Sequence, residues 1–134
     1  DPGGETNFGI AKRSHPDVDI KNLTKDGAKE IYKEVYWDKN KVESLSEDLR
    51  HIYFDMCVNQ GRGTAVKILQ KAANAKGANL KVDGGMGPMT IAAMDGVELQ
   101  RVRAYRVKYY ADLVTRKPDL EKFYFGWFRR ALEV

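Results

Sequence analysis

Apolar residues recur along most of this chain at intervals of three and four, the signature of helices that each bury one face. Ala28, Ile31, Tyr32, Val35 and Tyr36 make the first such stripe, with Lys25, Lys29, Glu30, Lys33 and Glu34 on the wet side. Thr24 is placed to cap that helix, and Asp26 falls in its first turn, where the helix dipole favours an acid. Leu49, Ile52, Tyr53, Met56 and Cys57 form a second stripe free of charge, so this helix is expected at the centre of the molecule. Ser44 and Glu47 have the spacing of a capping box and predict where it starts. Ala65, Ile68, Leu69, Ala72 and Ala73 follow, with side chains small enough for close helix contact. A short helix carries Ile91, Ala92 and Met94. A longer one, from Glu98 to Thr115, aligns Leu99, Val102, Arg106, Tyr109, Tyr110 and Leu113. The last, capped by Asp119, aligns Leu120, Phe123, Tyr124, Trp127, Phe128, Ala131 and Leu132. Strand-like alternation is confined to Phe8 and Ile10, which suit one arm of a hairpin. The pattern predicts an all-α fold of six to seven helices with at most one small β-hairpin.

The breaks between stripes are as informative as the stripes. Within Asp83-Gly84-Gly85-Met86-Gly87-Pro88-Met89-Thr90, four of eight residues are Gly or Pro, which makes this a shaped bend between helices. Pro88 suits a first helical position, and Thr90 is an alternative N-cap for the same short helix. Gly61 is expected to end the second helix in a left-handed conformation, with Thr64 restarting the chain as the third. Gly126 lies inside the last helix, where it costs up to about 1 kcal/mol relative to Ala. That asks for a crossing helix or a sugar-sized ligand close by.

Length and charge narrow the classes. A chain of 134 residues predicts one domain, and no stretch approaches the apolar length needed to span a bilayer, so no stable membrane insertion is expected. Residues 1–98 hold 14 Lys/Arg against 15 Asp/Glu, whereas residues 99–134 hold 9 against 4. This C-terminal excess suits an acidic polymer such as a cell wall. Without a long basic run it does not point to nucleic acid, although Arg101, Arg103, Arg106 and Lys108 interleave with Tyr105, Tyr109 and Tyr110. Cys57 is the only cysteine, which excludes an internal disulfide, and its apolar neighbours predict a buried thiol. His15 and His51 stand far apart and read as turn and surface residues, so neither a zinc site nor a serine triad has support. There is no Walker loop and no EF-hand spacing, and no cofactor or metal is expected.

A few polar residues interrupt the apolar faces and become candidates. Asp55 and Asn59, four apart on the central helix, either reach a ligand or tie the helix end down by hydrogen bonds. Arg106 is expected to pair with a core carboxylate, Asp55 or Asp83. Of the aromatic residues, Trp37 at a helix end is the best placed for sugar contact, while Tyr36, Tyr124 and Trp127 have the spacing of core residues.

Several segments in order then resemble one family. Asp1-Pro2-Gly3-Gly4-Glu5-Thr6-Asn7-Phe8-Gly9-Ile10 is similar to the signature of lysozyme-like N-acetylmuramidases of phages and bacteria, glycoside hydrolase family 108, once described as secretion activators. Ile31-Tyr32 with Tyr36-Trp37 resembles the next segment. Asp55, Val58-Asn59, Gly61, Ala65, Leu69-Gln70, Asp83-Gly84, Gly87-Pro88 and Thr90 resemble the part labelled a predicted peptidoglycan-binding domain, and Phe125-Gly126-Trp127 with Arg129-Arg130 its closing helix. The resemblance implies a single lysozyme-like domain over 1–134 that lacks its start. Residues 1–50 would bear the catalytic motif, and 51–134 a peptidoglycan-binding-like helical part packed into the same core.

The activity implied is hydrolysis of the glycan backbone of peptidoglycan at N-acetylmuramic acid. The implied general acid is a glutamate just before Asp1, outside this sequence, so the 134 residues alone are expected to be inactive. Asp1 and Thr6 are the catalytic candidates: Asp1 to stabilise positive charge or orient the loop, Thr6 to position water. Asn7, Trp37, Asp55, Asn59 and Trp127 are the candidates for substrate binding. The implied partners are peptidoglycan glycan strands and a holin for export, with synthesis in the cytoplasm and action at the cell wall or periplasm. Two other classes stay open: a peptidoglycan-binding or secretion-accessory module without catalysis, and a helical interaction protein.

Overall fold

Thr24 opens the first helix as its sequence position predicts, its Oγ1 accepting the Gly27 amide at 3.0 Å. From there the computed structural model is all-α, with six helices among the described residues, which are 6–7, 10–12 and 15–134; of residues 6, 11 and 36 the backbone alone is described. The chain divides into two compact units, Asp1–Lys39 and Asn40–Val134.

In the first unit, strand β1 (Thr6–Asn7) pairs antiparallel with β2 (Ile10–Ala11), Asn7 opposite Ile10 and Thr6 opposite Ala11. This is the small hairpin that the alternation predicts; Phe8, expected on its packed side, lies outside the described residues. Ile10 turns into a small core with Ile20 and Ala28, against which Val18, Leu23 and Ile31 pack. Helix α1 (Lys25–Lys39) contributes only its beginning to that core. The expected apolar stripe is therefore followed in part: Ala28 is buried and Ile31 half-buried, but Tyr32 and Val35 are 38% and 39% exposed. Among the described residues, the core of this unit reaches along α1 as far as Ile31.

The second unit begins with a 3₁₀ turn, Val42–Ser44, and helix α2 (Glu47–Gln60). Here the capping-box expectation fails. Ser44 ends the 3₁₀ turn, and the N-cap is Ser46, whose hydroxyl donates to the Asp48 carboxylate at 2.7 Å. The reason is apolar: Val42 and Leu45 are both buried, and the 3₁₀ turn tucks them in before the helix can start. The charge-free stripe of α2, from Leu49 to Cys57, is buried throughout. Gly61 (φ 88°, ψ 152°) breaks the chain for one residue, in a region open to glycine but different from the left-handed helical one, and α3 (Arg62–Ala75) follows at once.

All five predicted core residues of α3 are buried, and it packs against α2 on one side and α5 on another. Pro88 is the first residue of α4 (Pro88–Ala93), as expected. Helix α5 (Leu99–Arg116) buries Val102, Arg106 and Tyr110. Asp119 is not the cap of the last helix: it lies within a 3₁₀ segment, Pro118–Phe123, opened by Pro118, and α6 (Tyr124–Glu133) starts after it. Helix α6 lies against α5 and buries only Ala131 fully, leaving Phe125 70% exposed. Gly126 has no crossing neighbour, since a Cβ added there would meet nothing within 4 Å.

Candidate functional site

Of the two catalytic candidates, Thr6 alone falls among the described residues. Asp1 lies outside the described residues. Thr6 stands on β1, paired with Ala11. Asn7 is the best defined of the three: its amide Nδ2 donates to the Ile20 carbonyl at 3.1 Å and the Leu23 carbonyl at 3.4 Å. One side chain thus ties the hairpin to the turn that leads into α1. Trp37 is half-buried in the last turns of α1, with the Lys33 ammonium 5.9 Å from its ring centre, a cation–π distance.

Asp55 and Arg106 meet as the sequence predicts. Arg106 is completely buried and donates through Nη2 to Asp55 Oδ2 at 2.7 Å and through Nε to Gln60 Oε1 at 2.9 Å. A second guanidinium, Arg130 of α6, binds the same carboxylate at 2.6 Å from the solvent side. Burial by itself would push the Asp55 carboxyl up. The hydrogen bonds from Arg130 and Arg106, with their charges, outweigh it and hold the group below the usual carboxylate range. Arg106 Nη1 and Gln60 Nε2 are buried without a hydrogen-bond partner among the described residues. Asn59 does not join the cluster. It is exposed, and its amide donates back to the Asp55 carbonyl one turn earlier. Trp127 stacks on Tyr110 at 5.0 Å between α6 and α5, where helical spacing puts it. Asp55 and Trp127 are therefore joined through α5, while Asn59 faces water.

The glycine bend is organised by a residue that sequence reasoning did not single out, Gln70. It is 1% exposed and uses both ends of its amide. Oε1 accepts the backbone N–H groups of Asp83 and Gly84 at 3.1 and 3.0 Å. Nε2 lies within hydrogen-bond distance of Asp83 Oδ1, the Gly85 carbonyl and Thr90 Oγ1. Thr90 in turn donates to the Gly85 carbonyl at 2.9 Å, so it pins the loop from within α4 instead of capping that helix. The Gly85 amide, then the Gln70 amide, hold the Asp83 carboxyl below its ordinary value. Gly84 has φ 78°, and a Cβ on it would stand 3.1 Å from the Gly63 carbonyl oxygen, so the bend lies directly on the start of α3. The signal for Gln70 was its position, an uncharged polar residue directly after Leu69 on a helix whose Ala72 and Ala73 are also buried.

Beside the bend is an open cleft of about 330 Å³, within the size range of small-ligand sites. Its floor is polar, from Gln70, Asp83 and Thr90, and its rim is apolar, from Leu80, Pro88 and Met89. Lys81 and the Asp83 carboxylate add charges to this surface, while Gln70 and Thr90 are already engaged by the bend. Among the described residues no group of three or more His, Cys, Asp or Glu is arranged to hold a metal, and no helix is long and apolar enough to cross a membrane. Cys57 is buried, and burial pushes its thiol up to about 11, so it stays protonated near neutral pH.

Comparison with known proteins adds three findings. Residues 1–61 match the family model described as Glycosyl hydrolase 108, and residues 64–132 match the one described as Predicted Peptidoglycan domain. A solved structure, "Structure of Brucella abortus SagA", is 29% identical, with a TM-score of 0.67 over 99% of this chain and 78% of that one. No curated protein matches.

Proposed function

Since the chain belongs to the glycosyl hydrolase 108 family and carries the predicted peptidoglycan domain after it, we propose that it serves hydrolysis of the peptidoglycan glycan backbone at N-acetylmuramic acid. The observation that carries this is the order of the two matches, a glycosidase segment followed directly by a peptidoglycan segment along nearly the whole chain. Glycosidic cleavage needs a protonated carboxylic acid at the leaving oxygen and a second group that stabilises the cationic transition state or activates water. In this proposal the acid is a glutamate immediately N-terminal to Asp1, Asp1 supports the developing positive charge and Thr6 positions the water.

Asn7 acts as a positioning residue. Its amide is committed to the Ile20 and Leu23 carbonyls, and it holds the Thr6 strand in place. Trp37 offers its ring to a sugar face. In the second unit, the cleft beside the glycine bend takes a sugar unit, with Lys81 and Asp83 at hand for its polar groups. Asp55 has a structural role as the counter-ion of Arg106 and Arg130.

The test is release of reducing ends from purified peptidoglycan, using protein that includes the segment N-terminal to Asp1 alongside the 134-residue chain. Reducing N-acetylmuramic acid ends from the longer form, lost on Thr6→Ala, are expected. Sedimentation of both forms with the wall, with no bond cleaved by either, would instead establish a binding module, the second reading that the peptidoglycan match supports.

A further inference from the structure

On the side of α3 away from α2, a second cleft opens toward α5, small at about 150 Å³ and different in chemistry from the one at the glycine bend. Its walls include Tyr105 and Tyr109, one turn apart on α5, and its rim carries three ammonium groups, Lys67, Lys71 and Lys108, against one carboxylate, Asp112. Lys67 and Lys71 are one turn apart on α3, so both point to the same edge. Asp112 is already engaged by Lys108 at 2.9 Å. Lys67 and Lys71 have no ion-pair partner among the described residues and are exposed. The cleft therefore keeps two uncompensated cations over phenolic walls.

We propose that this cleft binds a free carboxylate of the peptidoglycan stem peptide. The inference rests on the reading of the chain as a peptidoglycan protein, and the whole cleft lies within residues that match the predicted peptidoglycan domain. The chemistry selects the peptide over the sugar. In peptide-substituted glycan the lactyl carboxyl of muramic acid is tied up as an amide, so the glycan presents no charge to an ammonium rim. The stem peptide presents carboxylates at its C-terminal residue and along its acidic side chains. An ammonium–carboxylate hydrogen bond is among the stronger polar contacts, and the Tyr105 and Tyr109 rings supply apolar surface for the peptide on either side. The space is too small for a disaccharide-sized ligand and large enough for one carboxylate-bearing group.

The test is titration of the 134-residue chain, followed by amide chemical shifts, with three probes. These are a disaccharide–tetrapeptide muropeptide, the same disaccharide without peptide and with its lactyl carboxyl capped as an amide, and a short single-stranded oligonucleotide. The muropeptide is expected to shift Lys67, Lys71 and Tyr109 amides and the bare disaccharide to leave them unmoved. Lys67→Gln with Lys71→Gln should weaken muropeptide binding about tenfold or more, with an unchanged thermal midpoint to show that the fold is intact. Equal binding by the double variant, equal binding of a muropeptide whose carboxylates are amidated, tighter binding of the oligonucleotide at the same residues, or no binding of any probe would each overturn the proposal. Glycan cleavage is not read in this experiment. A form that includes the segment N-terminal to Asp1, releases no reducing ends and still binds the muropeptide through the lysines would retire the hydrolase reading and leave this one standing.

Discussion

Asp55 faces two guanidinium groups, and Arg106 has no access to water at all. Removing the carboxylate would strand a buried cation, which typically costs about 3–5 kcal/mol. Asp55→Asn is thus expected to lower the urea midpoint by a large fraction of the total stability. The same pair sets a pH dependence. The folded-state pKa of Asp55 lies below its unfolded value, so its stabilisation is complete above the unfolded pKa and is lost as pH falls through the folded one. Urea midpoints measured from neutral pH down to the acid range should fall more steeply for the native protein than for Asp55→Asn; parallel curves would remove Asp55 from the acid response. At Gln70 the expected damage is of another kind. Gln70→Leu keeps the volume but removes the acceptor of the Gly84 amide and leaves the Asp83 amide only its bond to the Lys81 carbonyl; an amide left buried and unpaired costs about 1–3 kcal/mol. Loss of hydrogen-exchange protection at those two amides is the readout. Arg106 was legible in the sequence because a charge inside an apolar stripe demands a counter-charge, and few carboxylates were available. Gln70 was not, because a neutral amide in a stripe makes no such demand, and its partners are backbone groups that composition does not reveal.

The helices were legible where one apolar face met one partner. The stripes of α2 and α3 are buried as predicted because each is flanked by other helices of its unit. The start of α2 was missed because two buried residues upstream, Val42 and Leu45, decide where the chain can turn, and capping spacing does not see them. Helix α6 was over-read: its aromatic run has helical periodicity, yet it packs mainly on α5 and the 3₁₀ segment before it, and Phe125 and Leu132 stay outside. Gly126 belongs to this scale. With open space around it and helical backbone, Gly126→Ala should stabilise the protein by about 0.5–1 kcal/mol, seen as a higher thermal midpoint. If wall binding falls in the same variant, a ligand uses the gap that no helix fills.

The two units differ in what holds them. Among the described residues, the core of Asp1–Lys39 is Ile10, Ile20 and Ala28 with a few half-buried neighbours, whereas Asn40–Val134 buries whole faces of α2 and α3. Local opening is cheap where few apolar groups are buried. Amides of α1 are therefore expected to exchange with deuterium well before those of α2 and α3; equal protection would show that α1 is stabilised by more than its own core. The all-α character could be read from periodicity, and the family from motif order, but the geometry around the proposed catalytic residues could not, since they stand in a Gly-rich stretch without a period of its own.

Gly61 shows how the chain was put together. It stands at the end of the glycosidase match and just ahead of the peptidoglycan match, yet the helices it joins bury their faces against each other. The seam between two sequence families thus runs through one shared interior instead of along a linker. A lineage that exchanged its wall-recognition half for another would inherit a naked α2, and would have to re-evolve that face before the new half could be used. The two halves are therefore expected to pass between genomes together, as one heritable piece.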